Sequence, residues 1–315
     1  MEDVVSLRVL RRILARHGLA PRKALGQNFL IDANLRNKIL QSAAPGPEDL
    51  VVEVGAGPGT LTPGLLAGGG VVLAVEADRR LAAILTERLS PFAERAVVLV
   101  ADVLRLDLVE AAAAHGWATR PALAVGNLPY YITSPCLFHL LETPLRWRRM
   151  VFLVQREVAA RITAPPGTKD YGLLSVMLQY RTVPTVVAVL PPSVFWPPPK
   201  VHSALLRLDL PGRYPSLSPR EEEIFRGLVK AAFGQRRKTL ANSCRAWTEH
   251  LGLTEEFTST CREADVDPNR RGEELTVEEF MRLAKALAAA IPTPTPDAFG
   301  TERKNHRAIH QSHQR

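Results

Sequence analysis

Residues 50–62 read Leu-Val-Val-Glu-Val-Gly-Ala-Gly-Pro-Gly-Thr-Leu-Thr. An apolar, β-branched run of strand length passes straight into a glycine-rich turn, and a helical segment follows. That order opens a βαβ unit of an α/β fold, and the glycines bare the backbone where the strand ends, the place at which such sheets bind ligands. The spacing is Gly-x-Gly-x-Gly, carried by Gly55, Gly57 and Gly59. Dinucleotide folds use Gly-x-Gly-x-x-Gly and phosphate loops close on Lys-Ser/Thr, so pyrophosphate fits this turn poorly.

Working outward, three further apolar runs end on polar residues. Val71–Val75 ends at Glu76, Ala96–Val100 is followed by Asp102, and Ala122–Val125 leads into Asn127-Leu128-Pro129-Tyr130. A carboxylate at the second strand end, roughly 20 residues past the turn, can accept both hydroxyls of a ribose. Asp102 can accept from an adenine amino group. The Asn127 oxygen and the Leu128 carbonyl, held still by Pro129, can accept both hydrogens of an exocyclic amine while Tyr130 stacks on the attached ring. This succession fits S-adenosylmethionine, and the last tetrapeptide suits methylation of a base nitrogen. Each piece alone has a plainer reading, since Asn-Pro is common in turns and strand-end acids are often merely solvated. An NAD-dependent oxidoreductase shares the glycine turn and the ribose acid but leaves Asn-Leu-Pro-Tyr without a role.

Apolar runs at Met150–Val154, Val186–Leu190 and Ala204–Leu210 continue a strand and helix alternation that predicts a mostly parallel, seven-stranded sheet. Pro211-Gly212-Arg213-Tyr214-Pro215 interrupts it. Ser218-Pro219-Arg220-Glu221 then reads as a capping box opening a helix, and Thr276 with Glu279 opens another. The expected organisation is an α/β domain over 1–210, with residues 1–35 forming an N-terminal helix and an opening motif, and a small all-helical domain over 211–290. A polar tail over 291–315 is expected to be disordered.

Composition is that of a globular chain, with 46% hydrophobic and 23% charged residues and a formal net charge of +8. The basic balance suits an anionic partner, and its placement at Arg11-Arg12, Arg22-Lys23, Arg146–Arg149, Lys200, Arg207 and Arg236-Arg237-Lys238 suggests a funnel toward Asn127. A cation cluster at a helix C-terminus is the plainer reading of Arg236-Arg237-Lys238. Cys136, Cys244 and Cys261 are odd in number and far apart, so neither disulfides nor zinc are expected, and no metal is predicted. No apolar run reaches the roughly 18 residues of a membrane span, and the expectation is a cytoplasmic monomer. Residues 1–23 mimic a basic amphipathic transit peptide, but Glu2, Asp3 and their run into the next motif favour an integral first helix.

Five segments together carry a resemblance: Lys23–Leu30 (KALGQNFL), Glu53–Thr62 (EVGAGPGTLT), Asn127–Thr133 (NLPYYIT), Val194–Leu208 (VFWPPPKVHSALLRL) and Phe233–Ser243 (FGQRRKTLANS). In this order they resemble the ribosomal RNA adenine dimethyltransferases, whose fold is a seven-stranded, Rossmann-like class I methyltransferase sheet with a small C-terminal helical domain. The last two segments are most similar to the bacterial small-subunit branch, less so to the large-subunit methylases. The resemblance implies that Asn28 and Leu30 close over the methionine end of the cofactor, that Gly55 and Gly57 shape its pocket, and that Glu76 and Asp102 hold ribose and adenine. It implies that Asn127 orients the target amine and also borders the cofactor, that Leu128 and Pro129 complete that motif, and that Tyr130 and Phe195 sandwich the adenine. A buried staple is the plainer role for Phe195 and Trp196. Arg22, Lys23, Lys200, Arg236, Arg237 and Lys238 are expected to contact RNA. The implied reaction is S-adenosylmethionine-dependent N6,N6-dimethylation of two adjacent adenosines in a hairpin loop near the 3′ end of 16S ribosomal RNA in the assembling small subunit. The rival from another class is a noncatalytic RNA-binding assembly factor, which intact Asn127–Tyr130 argues against.

Overall fold

The structure, a computed structural model, describes residues 4–22 and 26–291. The expectations for Lys23 and for the tail beyond residue 291 lie outside these residues. The chain divides into two units, Met1–Ser216 and Leu217–Arg315.

The first unit is built on strands β1 (Phe29–Leu30), β2 (Leu50–Val54), β3 (Val71–Glu76), β4 (Ala96–Val100), β5 (Pro121–Asn127), β6 (Arg146–Gln155), β7 (Val183–Leu190), β8 (Phe195–Trp196) and β9 (Ser203–Asp209). Its helices are α1 (Leu7–Arg16), α2 (Ala33–Ala43), α3 (Thr62–Ala67), α4 (Arg79–Leu89), α5 (Leu108–Ala113), α6 (Thr133–Glu142), α7 (Arg156–Thr163) and α8 (Leu173–Arg181). Seven strands form one sheet in the order β4-β3-β2-β5-β6-β9-β7. The pairings among β2 to β6 are parallel, whereas β9 runs antiparallel to both β6 and β7.

Period-two alternation sorts the strand residues between two apolar layers. Leu50, Val52, Val54, Leu73, Ala124 and Phe152 face one layer with Leu108 of α5 and Leu137 and Leu140 of α6. Val51, Val72, Leu123, Val125 and Leu153 face the other with Ile39 of α2, Leu65 of α3 and Leu85 of α4. Helices thus cover both faces, leaving the C-terminal strand ends as the open side. The amphipathic α1 packs Leu10, Ile13 and Leu14 onto Leu81 and Ile84 of α4 and onto Phe29. It is an integral helix of this unit, and Arg11 lies 5.1 Å from the ring centre of Trp196.

The second unit contains α9 (Pro219–Gly234), α10 (Leu240–Leu251), α11 (Phe257–Glu263) and α12 (Val277–Ala290). Reciprocal capping boxes start α9 at Ser218 and Glu221 and α12 at Thr276 and Glu279. Thr239 caps α10, so Arg236, Arg237 and Lys238 lie in the turn after α9. The partition follows Ser216, later than the expected 210, because 211–216 stay against the first unit: a Cβ at Gly212 would lie 2.7 Å from the Arg181 backbone. All three cysteines are free and buried, and burial first of all pushes each thiol up to about 12.

The tightest constraint on the open side is Gly126, where a Cβ would sit 2.3 Å from the Val54 carbonyl oxygen. Gly126→Ala therefore forces β2 and β5 apart. The expected loss is about 2 kcal/mol or more of unfolding free energy in denaturant titration, and an unchanged midpoint would contradict this account of the β2–β5 contact.

Candidate active site

The strand ends surround a cavity of about 580 Å³ lined, among others, by Asn28, Leu30, Glu53, Gly57, Glu76, Asp102, Asn127 and Tyr130. That volume lies within the usual range for a nucleoside-sized ligand, roughly 300–1,000 Å³. Its floor is the glycine turn, in which Gly55 and Gly57 take φ +70° and +55°. The Gly55 N–H donates to the Val75 carbonyl at 2.9 Å, which ties the turn to the end of β3. A Cβ at Gly57 would meet the Phe29 ring at 3.6 Å, so the turn rests on the opening segment.

Glu76 ends β3 almost fully buried, and its two carboxylate oxygens accept separately from the N–H groups of Gly57 and Asp78, each at 2.8 Å. Burial raises its pKa while those N–H groups hold it down. The fixed carboxylate retains lone pairs for the vicinal hydroxyls of a ribose. Asp102 caps the turn after β4, accepting from the Leu104 N–H at 3.0 Å. Its carboxylate is exposed beside the cavity and suits an adenine amino group.

Asn127 is half-buried at the end of β5. Its Nδ2 donates to the Asn28 carbonyl at 2.6 Å, while Asn28 Nδ2 donates to the Gly26 carbonyl at 3.1 Å. That bond fixes the orientation of the amide, so Oδ1, its acceptor atom, is held in one direction to accept from a ligand amine. The same network ties down the opening segment, whose Gln27 donates to Asp78 at 3.4 Å. Leu128 is buried and donates its N–H to the Leu153 carbonyl at 3.2 Å, and Pro129 follows at φ −54°. The Tyr130 hydroxyl pairs with Ser203 Oγ at 2.7 Å, which pins a half-buried ring beside Asn127. Glycine turn, ribose acid, adenine acid and amine acceptor thus share one cavity, and this donor and acceptor set fits S-adenosylmethionine.

Phe195, expected as the second ring of a sandwich, is not among the residues lining this cavity. It is 2% exposed and lies with Leu30 in the apolar layer under α2 and α3. The two-residue ladder of β1 and β8 pairs Leu30 with Phe195 and Phe29 with Trp196, so alternation turns Phe195 inward and Trp196 toward α1. Phe195 supports Leu30 from beneath. The exposed aromatic side chain at the cavity is Tyr131, at 66%. Among the RNA-directed residues, Arg22 lies 4.0 Å from Asp78, Lys200 is exposed, and Arg236 pairs with Glu273 at 2.9 Å. Arg237 and Lys238 are exposed in the same turn.

A family model described as ribosomal RNA adenine dimethylase matches residues 18–289. The chain belongs to this family. It is 45% identical to the ribosomal RNA small subunit methyltransferase A of Pelotomaculum thermopropionicum over 91% of this chain and 98% of that protein. It is 44% identical to the protein of the same name from Moorella thermoacetica over 86% and 93%. Among solved structures, 23S rRNA methyltransferase ErmE superposes with a TM-score of 0.62 at 27% identity, over 82% of this chain and 99% of that one. A dimethyladenosine transferase from Plasmodium falciparum shares the fold, with a TM-score of 0.68 at 23% identity over 81% and 95%.

Two buried polar residues of this dimethylase, one bonded to Tyr130 and one lining the cavity, were not anticipated from the sequence. Ser203 carries no local signal, because its partner is 73 residues away. Glu53 did carry one, as a lone acid in an otherwise apolar and wholly buried strand. It is 1% exposed, and burial pushes its pKa to about 8, opposed by Thr62 and reinforced by Glu76. Neither Glu53 Oε2 nor the Thr62 hydroxyl has a hydrogen-bond partner of normal geometry.

Two outcomes are expected. Ser203→Ala and Tyr130→Phe remove the same bond, so each costs about 1 kcal/mol in denaturant titration and the double variant costs little more; additive losses would show that the hydroxyls do not act as a pair. Glu53 keeps its proton to about pH 8 when folded but loses it near the ordinary carboxyl value of 4.5 when unfolded. Folding therefore takes up a proton within that window, and stability falls as pH rises through it. Melting temperatures between about pH 5 and pH 8.5 should decline less steeply for Glu53→Gln than for the unsubstituted protein.

Proposed function

We propose that this chain uses S-adenosylmethionine to dimethylate N6 of two adjacent adenosines in a hairpin loop near the 3′ end of 16S ribosomal RNA. The substrate is the RNA of an assembling small subunit, and the protein acts as a monomer in the cytoplasm. The observation that carries this reading is the commitment of Asn127 Nδ2 to the Asn28 carbonyl, which leaves a fixed oxygen to face an incoming amine.

When bound, the cofactor supplies a methyl group on a cationic sulfur, and everything else required is positioning. Asn127 Oδ1 and the Leu128 carbonyl accept the two N6 hydrogens and favour pyramidal, nucleophilic nitrogen over the ring-delocalised form. Tyr130, pinned through Ser203, offers a flat face for the target base, and exposed Tyr131 offers a second ring at the mouth. No histidine or lysine is found among the described residues lining the cavity. The proton leaves after transfer, when the nitrogen is cationic and acidic, without a side-chain base. Arg22, Lys200, Arg237 and Lys238 are proposed to hold phosphates, with Arg236 sharing its charge between Glu273 and the RNA.

Transfer of labelled methyl to unmethylated small subunits, with large subunits and free RNA in parallel, followed by nucleoside analysis, tests the reading. Dimethyladenosine in the small subunit is expected, whereas label in the large subunit or no label overturns it. Asn127→Ala should lower turnover by about a hundredfold or more while S-adenosylhomocysteine affinity stays within about tenfold. Glu76→Ala should weaken that affinity by more than about tenfold.

A further inference from the structure

Tyr131 stands at the mouth of the cavity with 66% of its surface exposed. Among the described residues it is the most exposed of the large hydrophobic side chains, and the one aromatic so exposed. It shares the single 3₁₀ turn Tyr130–Ile132 with Tyr130. Three residues per turn set consecutive side chains about 120° apart, so the two rings diverge. Tyr130 is half-buried with its hydroxyl on Ser203 Oγ, whereas Tyr131 belongs to none of the apolar layers of its unit. The Tyr131 ring nevertheless has a seat. A Cβ on Gly26, which takes φ +62°, would lie 3.7 Å from its Cε1 and 3.8 Å from its Cδ1, so the ring rests on bare backbone of the opening segment. A single exposed aromatic is ordinary on a protein surface. What singles this one out is its place, seated at the cavity mouth and next in sequence to the ring that faces the target base.

We propose that Tyr131 stacks on the nucleotide next to the target, so that the protein engages a pair of bases, one inside the cavity against Tyr130 and its neighbour at the mouth against Tyr131. The inference rests on the reading of two adjacent adenosines above and gives the waiting one a place on the protein. Drawing a base out of a strand and into a cavity breaks its stacking, and the neighbour it leaves behind loses a partner as well. An aromatic face at the mouth returns part of that loss whatever the base, because every base has a π-face. Tyr131 is exposed in the free protein and keeps its seat on Gly26, so little has to be ordered when the RNA arrives. The ring touches substrate without touching the reacting atoms. Its contribution therefore appears in the capture of RNA, read as kcat/KM, and depends on a base being present beside the target.

The test uses small subunits assembled on 16S RNA with a synthetic 3′ segment, in which one adenosine of the pair is replaced. The replacement is either purine ribonucleoside, which stacks but has no amine to methylate, or an abasic ribose, and kcat/KM is read from labelled methyl at the remaining adenosine. For the unsubstituted protein the abasic substrate should be slower than the purine one by about tenfold, at one position of the pair or at both. Tyr131→Ala should lose about tenfold on that purine substrate and less than about twofold on its abasic counterpart. Tyr131→Phe should keep the purine rate. No loss for Tyr131→Ala, equal losses on purine and abasic substrates at both positions, or a Tyr131→Phe protein as slow as Tyr131→Ala overturns the proposal. Each comparison sets two substrates against one protein, so general damage from the substitution cancels. Failure of the unsubstituted protein to methylate subunits that carry both adenosines sinks the reaction proposed above, a result separate from equal losses on the two substrates.

Discussion

The site depends on how closely β2 and β5 approach at their C-terminal ends. With no side chain on Gly126, the β5 backbone comes against the Val54 carbonyl, and the two strands leave the sheet side by side. The chain after β2 is the glycine turn and the chain after β5 is Asn127-Leu128, so one backbone contact brings a cofactor floor and an amine acceptor into a single cavity. A wider gap would leave both motifs intact and separate the groups they are meant to bring together.

The remaining wall comes from a segment that is not part of the main sheet. Residues 26–30 are held by Asn127 through the Asn28 carbonyl, by Asp78 through Gln27, and by the short β1–β8 ladder. Phe195 under Leu30 and Phe29 under Gly57 give that segment an apolar seat. Each anchor is itself a cavity residue or the neighbour of one. Substitutions at the glycine turn, at Asn127 or in the Phe195 loop should therefore perturb the same piece of wall.

What could be read from sequence was what is encoded over short distances. The strand runs, the glycine turn and the capping boxes at Ser218 and Thr276 declare themselves within a few residues, because alternation and capping are local. Glu76, Asp102 and Asn127 were legible because each ends an apolar run. The side to which Phe195 turns was not, since a two-residue ladder has no periodicity and its orientation is set by β1, far away in the chain. The bonds from Asn127 to Asn28 and from Tyr130 to Ser203 span 99 and 73 positions. Helix α11 escaped because its seven residues are too few to show an apolar stripe. The antiparallel placement of β9 leaves no mark on an apolar run that reads alike in either direction.

The three buried thiols have a practical consequence. Cys136, Cys244 and Cys261 are enclosed and held far from the thiolate form, and only the thiolate reacts with alkylating and maleimide reagents. The native chain is thus a silent background for labelling chemistry. A fluorophore or spin label attached to an introduced surface cysteine, for instance in the turn after α9, would report from that position alone without any native cysteine having to be replaced.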